Sequence, residues 1–174
     1  MIQISLHEMR DQFRALDIGC GNGWVCRMLT KNENCISATG IDGSLKMIEK
    51  AREINPDGDY HHVLLPNWEP KKQFDIIHSM EFLYYLEDPI SFLRTIHNSW
   101  LRPNGIFVSG VDFYRENSDC HNWPEALNVR MRLLSINEWE NGMRKAGFEA
   151  VKVQQVGKRE GFIGTLMMMG RKKN

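Results

Sequence analysis

The run Arg14-Ala15-Leu16-Asp17-Ile18-Gly19-Cys20-Gly21-Asn22-Gly23 constrains the fold more than any other stretch of the chain. Its apolar beginning reads as a buried strand, and the alternating glycines turn the chain sharply into a helix. Asn22 is placed to cap that helix, which carries Val25, Met28 and Leu29. Glycines here permit the tight turn and let a ligand approach backbone N–H groups at a helix N-terminus, where the dipole favours negative or polar groups. Taken alone, the same run is also compatible with a plain Gly-rich connector.

The alternation of strand and helix continues. Ile36 to Ile41 reads as the next strand, and Ser44 caps a helix whose Met47, Ile48 and Ala51 share one face until Asn55-Pro56-Asp57-Gly58 stops it. Tyr60 to Leu65 is the third predicted strand and Phe74 to Ser79 an apolar, central fourth. Asp88-Pro89 pairs an N-cap with a proline at the first helical position, opening a helix that buries Phe92, Leu93, Ile96 and Trp100. Arg102-Pro103-Asn104-Gly105 is read as a turn before a fifth strand, Ile106 to Gly110.

From Asp112 to Leu134 the periodicity fades into polar and aromatic residues, as in an excursion over a site. Ser135-Ile136-Asn137-Glu138 is a capping box, with Leu134 and Trp139 at hydrophobic-staple spacing, and the helix through Met143 ends at Gly147. The apolar runs Phe148 to Val156 and Phe162 to Met169 flank Gly157-Lys158-Arg159-Glu160-Gly161, a spacing that makes a hairpin and brings the last strand in antiparallel. The fold class expected is α/β, a mostly parallel sheet flanked by helices, with one reversed strand near its end.

Composition bounds the rest. With 174 residues and 42% apolar content the chain is one domain, residues 1–174, with a short lead-in over 1–13. Lys+Arg and Asp+Glu balance at 22 each, so no overall field draws in nucleic acid or an anionic membrane, and no apolar run reaches the roughly 20 residues of a membrane span. A cytoplasmic location is expected. The terminal Arg171-Lys172-Lys173 reads as a solvated end. Cys20, Cys26, Cys35 and Cys120 read as free thiols; with no CxxC, and with the adjacent His61-His62 on opposite strand faces, no metal site is expected.

The glycine spacing separates two ligands. A dinucleotide fingerprint needs GxGxxG, but counting from Gly19 its third glycine would fall at Trp24, while the glycine present is Gly23, so a nicotinamide dinucleotide is disfavoured. One strand–helix–strand unit later, Gly40-Ile41-Asp42 ends a strand with a carboxylate able to accept both ribose hydroxyls of an adenosine moiety, or simply to cap the helix beside it.

Leu16 to Gly23, Gly40-Ile41-Asp42, Phe74-Asp75-Ile76-Ile77, Leu101 to Gly105 and the stretch from Leu134-Ser135 to Ala146-Gly147-Phe148 together resemble the ordered motifs of class I S-adenosylmethionine-dependent methyltransferases. The resemblance covers nearly the whole chain and implies a Rossmann-like three-layer sandwich, its mostly parallel seven-stranded sheet closed by an antiparallel seventh strand. It implies S-adenosyl-L-methionine as cofactor, with its methionine part against Asp17, Gly19, Cys20 and Gly21, its ribose on Asp42 and its adenine near Gly43. Ser79-Met80-Glu81 would pass close to the sulfonium. Many relatives carry an acidic residue after the third strand for the adenine amino group; here Asn67 is placed to accept that bond and Trp68 to cover an adenine face, or to fill the core.

Acceptor-binding residues are expected beyond the carboxyl ends of the fourth and fifth strands, where Tyr84, Tyr85, Asp112, Tyr114, Glu116, His121 and Trp123 lie. Of these Tyr85, Tyr114 and His121, together with Glu81, are the candidate catalytic residues, His121 as a base near neutral pH. Interleaved aromatic and polar groups suit a small or mid-sized organic acceptor rather than a nucleic acid. Relatives place helices before the first strand, so the short lead-in leaves three readings: an open site, a cover supplied by a second copy or partner chain, or a truncated form. A non-catalytic methyltransferase-like subunit or cofactor-binding regulator is the alternative to an enzyme.

Overall fold

The computed structural model describes residues 2–7 and 11–174, so part of the 1–13 lead-in lies outside the described residues. Within it, α1 (Ile2–His7) precedes the first strand, and Ile2 is buried in the core. Seven strands follow: β1 (Phe13–Ile18), β2 (Cys35–Asp42), β3 (Asp59–His62), β4 (Phe74–Met80), β5 (Leu101–Val111), β6 (Glu149–Val156) and β7 (Thr165–Arg171). They form one sheet in the order β3-β2-β1-β4-β5-β7-β6, parallel except for β7, which runs antiparallel to both neighbours. The expected Rossmann-like sandwich with a reversed seventh strand is thereby observed.

Two apolar layers sandwich the sheet. On one face α2 (Trp24–Leu29) and α3 (Leu45–Ile54) set Val25, Leu29, Ile48 and Ala51 against Phe13, Ala15 and Ile76. On the other, α4 (Pro89–Thr95) and α6 (Ile136–Lys145) bury Phe92, Leu93, Trp139 and Met143 against Leu16, Ile18, Ile77 and Phe107. The alternation along β1 and β4 dictates this division, since successive strand residues point to opposite faces.

The predicted caps hold at three helices. Ser44 accepts from Met47 N, Asp88 accepts from Ser91 N with Pro89 in the first turn, and Ser135 and Glu138 complete a reciprocal capping box. At α2 the expectation fails: Gly23, not Asn22, is the N-cap, in the left-handed region at φ 77° with no side-chain cap. Only glycine enters that conformation cheaply, and Tyr60 packs so close that a Cβ at Gly23 would lie 2.4 Å from its ring.

Other boundaries shift for physical reasons. The expected turn at Arg102 to Gly105 is present as an outward loop within β5: Leu101 pairs with Phe74 and Ile106 with Ile76, Asn104 has φ 63°, and Asn104 N to Lys172 O and Lys172 N to Gly105 O pin the loop beside the end of β7. β3 stops at His62, short of Leu65, because only its first four residues pair with β2. The hairpin's second strand starts at Thr165 rather than Phe162, which instead bridges Arg159 across the turn. The 112–134 excursion includes a short 3-10 turn at Ser118–Cys120 and α5 (Trp123–Ala126).

Candidate functional site

The strand order reverses direction between β1 and β4, and the crevice at such a switch point is where open α/β sheets receive ligands. Asp17 and Ile18 pair with Gly40 and Ile41 on one side and with His78 and Ser79 on the other. The carboxyl ends of β1, β2 and β4 therefore meet at one rim. Asp17, the glycine turn, Asp42, Gly43, Ser79, Met80 and Glu81 all lie along it.

The glycine turn is built from within. Gly19 N and Cys20 N both donate to Ile41 O, Gly23 N donates to Cys20 O, and Gly21 N donates to the Asp42 carboxylate at 2.8 Å. These N–H groups are therefore spoken for within the turn, while α2 itself starts at Trp24 with no side-chain cap on its first N–H groups. The turn offers shape instead. Gly19 and Gly21 have φ of 72° and 53°; a Cβ on Gly19 would strike Phe82, whereas one on Gly21 would meet nothing within 4 Å. Gly21 thus presents a bare, open face.

Asp42 ties the rim together. One carboxylate oxygen accepts from Gly21 N and the other from Ser44 N at 2.7 Å, linking the β1 turn to the start of α3. Each oxygen retains a lone pair, so the half-buried carboxylate can still accept two hydroxyls. Gly43, exposed, has room above it, the nearest atoms to a Cβ being 3.8 Å away. The Cys20 thiol is buried and its pKa is raised, first by burial and then by Asp17 and Asp42, so it stays a neutral thiol.

Asp17 brings a partner that the sequence pattern alone did not reveal. Its Oδ1 lies 2.9 Å from His78 Nδ1, and both side chains are 2% exposed. Burial raises the Asp17 pKa, while the hydrogen bond and charge of His78 work in the opposite direction. His78 Nε2 is buried with no partner. A histidine inside an otherwise apolar strand was the available signal, because a polar group buried on both faces needs a reason.

At the end of β4 the backbone of Glu81 is left-handed, φ 52°, with its N–H donating to Gly110 O. Tyr84 OH donates to Glu81 Oε2 at 2.9 Å, while Glu81 Oε1 and Asp112 Oδ1 are buried without partners. Burial, followed by the charge of Asp112, raises the Glu81 carboxyl from 4.5 to about 7, against the hydrogen bonds it accepts. A carboxyl poised near neutrality at a sheet rim is suited to taking and releasing a proton. Ser79 Oγ is likewise buried and unpartnered.

The remaining candidates disperse. Tyr85 is 44% exposed, against Tyr84. Tyr114 is wholly buried; its hydroxyl donates to Gly164 O at 2.7 Å and accepts from Gln155 Nε2, so it braces the 157–164 turn and its role as an acceptor-facing catalytic group is corrected. His121 sits exposed with Nε2 3.0 Å from Arg115 O, a bond that places the proton on Nε2 and removes that nitrogen as a base. Asn67 is exposed, and Trp68 packs edge-on against Trp100 at 5.5 Å, the core-filling alternative. Trp68 also walls a cleft of about 500 Å³ with Arg14, Thr39, His61 and Lys72. That cleft lies where the helix-free 63–73 connection leaves the α4-side face of β1 to β3 thinly covered. Among the described residues no three His, Cys, Asp or Glu side chains gather to hold a metal ion, and no helix is long and apolar enough to cross a membrane.

This sheet order, glycine turn and acidic strand end define a Rossmann-like methyltransferase fold. Residues 6–153 match the family model described as a methyltransferase domain, and the chain belongs to that family. It is 29% identical over 135 residues to a trans-aconitate 2-methyltransferase of Escherichia coli, covering 78% of this chain and 49% of that protein. The chain thus spans about half the length of the curated relatives it matches. Among solved structures it superposes at TM-score 0.84 and 25% identity on a chain of the complex between the Haloferax volcanii Trm112 methyltransferase activator and a methyltransferase, covering 99% of this chain and 88% of that one. The N-methyltransferase NodS of Bradyrhizobium japonicum, solved with S-adenosyl-L-homocysteine, shares the fold at TM-score 0.76 and 19% identity, over 99% and 84% of the two chains.

Proposed function

We propose that this chain transfers a methyl group from S-adenosylmethionine to a small or mid-sized organic acceptor. The carrying observation is the rim itself: a bare Gly21 face beside a carboxylate already fixed by two backbone N–H groups yet with lone pairs to spare. Asp42 receives the ribose hydroxyls without reorganising, because Gly21 and Ser44 hold it in place before any ligand arrives. Gly19 and Gly21 let the cofactor's chain lie against the backbone, with Asp17 beneath it and Cys20 as buried support. Gly43 leaves room for the adenine, and Asn67 and Tyr85 are exposed on the flanking segments.

S-adenosylmethionine, when bound, supplies a methyl group on positively charged sulfur. Ser79, Met80 and Glu81 border that position at the end of β4. Glu81 Oε1, unpartnered and titrating near neutrality, takes the proton released by an alcohol or ammonium acceptor. Alignment and exclusion of water carry most of the acceleration in such a displacement, so no covalent enzyme group is required.

Calorimetric titration with S-adenosylhomocysteine tests the reading. One specific site is expected, with affinity lowered about tenfold or more in Asp42→Ala, the loss of two hydrogen bonds to a charged group. Absence of binding to the wild type, or an unchanged affinity in the variant, overturns it.

A second reading has its own observation: the structural neighbour at TM-score 0.84 comes from a complex with a methyltransferase activator. On this reading the chain binds the cofactor but needs a partner chain to act. A chain that titrates with S-adenosylhomocysteine, runs as a monomer in size-exclusion chromatography and methylates nothing in a library of small acceptors supports it.

A further inference from the structure

Away from the rim, one face of the sheet carries a polar strip. On the α4 side the carboxyl halves of β1 and β2 are apolar, with Leu16, Ile18 and Ile41 in the core. Strand alternation puts Arg14, Ser37, Thr39, Asp59 and His61 on that same face, with Arg14 paired to Ser37 and Thr39 to Asp59 in register. A parallel strand covered on both faces reads as a continuous apolar run, so this strip is built for water or a polar ligand. Arg14 precedes Ile18 by four residues, which sets the strip roughly 13 Å from the glycine turn.

Two clefts meet on the strip. The larger, about 500 Å³, has the strip as its floor and Trp68, Pro70 and Lys71 in its wall. The smaller, about 340 Å³, shares Arg14 and Lys72 with it and extends to Arg102. Both volumes are in the range of small-molecule pockets. Trp68 is a fixed wall, because its ring meets the buried Trp100 edge-on at 5.5 Å.

Arg14 is half-buried. Its backbone N–H donates to Asp75 Oδ2, yet its guanidinium makes no hydrogen bond or ion pair with any described residue, and none of its nitrogens is sealed from solvent. The other Asp75 oxygen is taken by Arg102 at 3.4 Å. Lys71 and Lys72, both exposed, also lack a carboxylate partner among the described residues. The acidic residues of the clefts do not answer them. Asp59 has one oxygen on the Thr39 hydroxyl and the other on His61 Nε2, each at 2.6 Å, and Glu69 stands exposed. Four cations, Arg14, Lys71, Lys72 and Arg102, thus meet two carboxylates, an excess of two positive charges.

We propose that these joined clefts are a second ligand site, apart from the cofactor rim, and that they take a phosphate monoester with a planar apolar body. A compact dianion matches the excess charge, and the planar fork of Arg14 suits its oxygens. Lys72 and Arg102 flank the phosphate, and the body lies along Trp68 and Pro70. The larger cleft far exceeds the volume of a bare phosphate, so the organic part has room beside the aromatic wall. The site stands independently of the methyl-transfer reading.

1-Naphthyl phosphate, 1-naphthol and inorganic phosphate separate the two halves of such a ligand. Calorimetry on the wild type with S-adenosylhomocysteine in excess, at about pH 8 where the ester is dianionic, is expected to show the ester at one site. Its affinity should be about tenfold or more above that of 1-naphthol or inorganic phosphate. Arg14→Gln should weaken the ester about tenfold and Lys72→Gln about threefold, whereas Glu69→Gln, which removes an opposing charge, should strengthen it about twofold. S-adenosylhomocysteine affinity should change less than about twofold in all three. No binding of the ester, or binding no tighter than that of 1-naphthol or phosphate alone, overturns the proposal. So does unchanged affinity in a folded Arg14→Gln; should that variant not fold, the opposite signs expected of Lys72→Gln and Glu69→Gln, both at exposed positions, decide it. A single-stranded RNA without a terminal phosphate that displaces the ester overturns it in favour of a nucleic-acid surface. A chain that binds the ester but not S-adenosylhomocysteine sinks the methyl-transfer reading and leaves this site standing.

Discussion

Glu81 shows how one residue's environment becomes a pH dependence. Its carboxyl titrates near 4.5 when unfolded and about 7 when folded, chiefly because burial disfavours the charge. Between those values the folded state holds a proton that the unfolded state has released, so this group's contribution to stability is present below about pH 4.5 and falls as pH rises through 7. Glu81→Gln can keep the Tyr84 hydrogen bond and carries no charge at any pH. The variant is therefore expected to match the wild type at pH 4.5 and exceed it at pH 8 by on the order of 2 kcal/mol. Urea midpoints at the two pH values check this; a variant less stable at pH 8 would mean the ionised carboxylate is welcome where it sits. In a methylation assay the same variant should lose activity toward alcohols and ammonium groups more than toward thiols, which need less help in losing a proton.

The β1–α2 turn separates glycines that look alike in sequence. Gly23 has left-handed backbone and a Tyr60 ring where a Cβ would go, so Gly23→Ala is expected to destabilise the fold by about 3 kcal/mol. Gly21 has the same backbone requirement but open space, so Gly21→Ala should cost only about 1 kcal/mol of stability. Its methyl group would instead stand on the face proposed for the cofactor, and S-adenosylhomocysteine affinity should fall while the chain remains folded. Thermal melts and calorimetry on the two variants separate the roles; a Gly21→Ala variant with native affinity would move the cofactor off that face. The turn's existence was legible from Asp17 to Gly23, because turn chemistry is local. Which glycine caps the helix was not, since that is decided by Tyr60, on a strand 37 residues away. Caps at Ser44, Asp88 and Ser135 were legible for the converse reason: each bonds to a backbone N–H three residues on. The turn at Arg102 to Gly105 was legible from its own residues, whereas its capture by Lys172 was not, since those bonds form only when the far end of the chain arrives.

At the scale of the molecule, the order β3-β2-β1-β4-β5-β7-β6 gives the sheet a switch point between β1 and β4, and the proposed cofactor site lies at it. Asp42 was legible because the strand end and glycine turn lie one strand–helix–strand unit apart; the Asp17–His78 pair was not, because it forms only when β1 and β4 become neighbours across 61 residues. The same junction discriminates between cofactors. A dinucleotide needs a third glycine for close helix–strand packing, and that position is Trp24, a half-exposed side chain on α2. A ligand that binds only the folded state stabilises it by RT ln(1 + [L]/Kd), about 2.7 kcal/mol at a hundredfold excess over Kd. For a domain of this size that corresponds to a rise in Tm of roughly 5–10 °C. Scanning calorimetry should show such a rise with S-adenosylhomocysteine, a much smaller one in Asp42→Ala, and none with NADH. A comparable rise with NADH would mean that Trp24 moves aside to admit a dinucleotide, and the assignment of the rim to an adenosyl sulfonium compound would have to be given up.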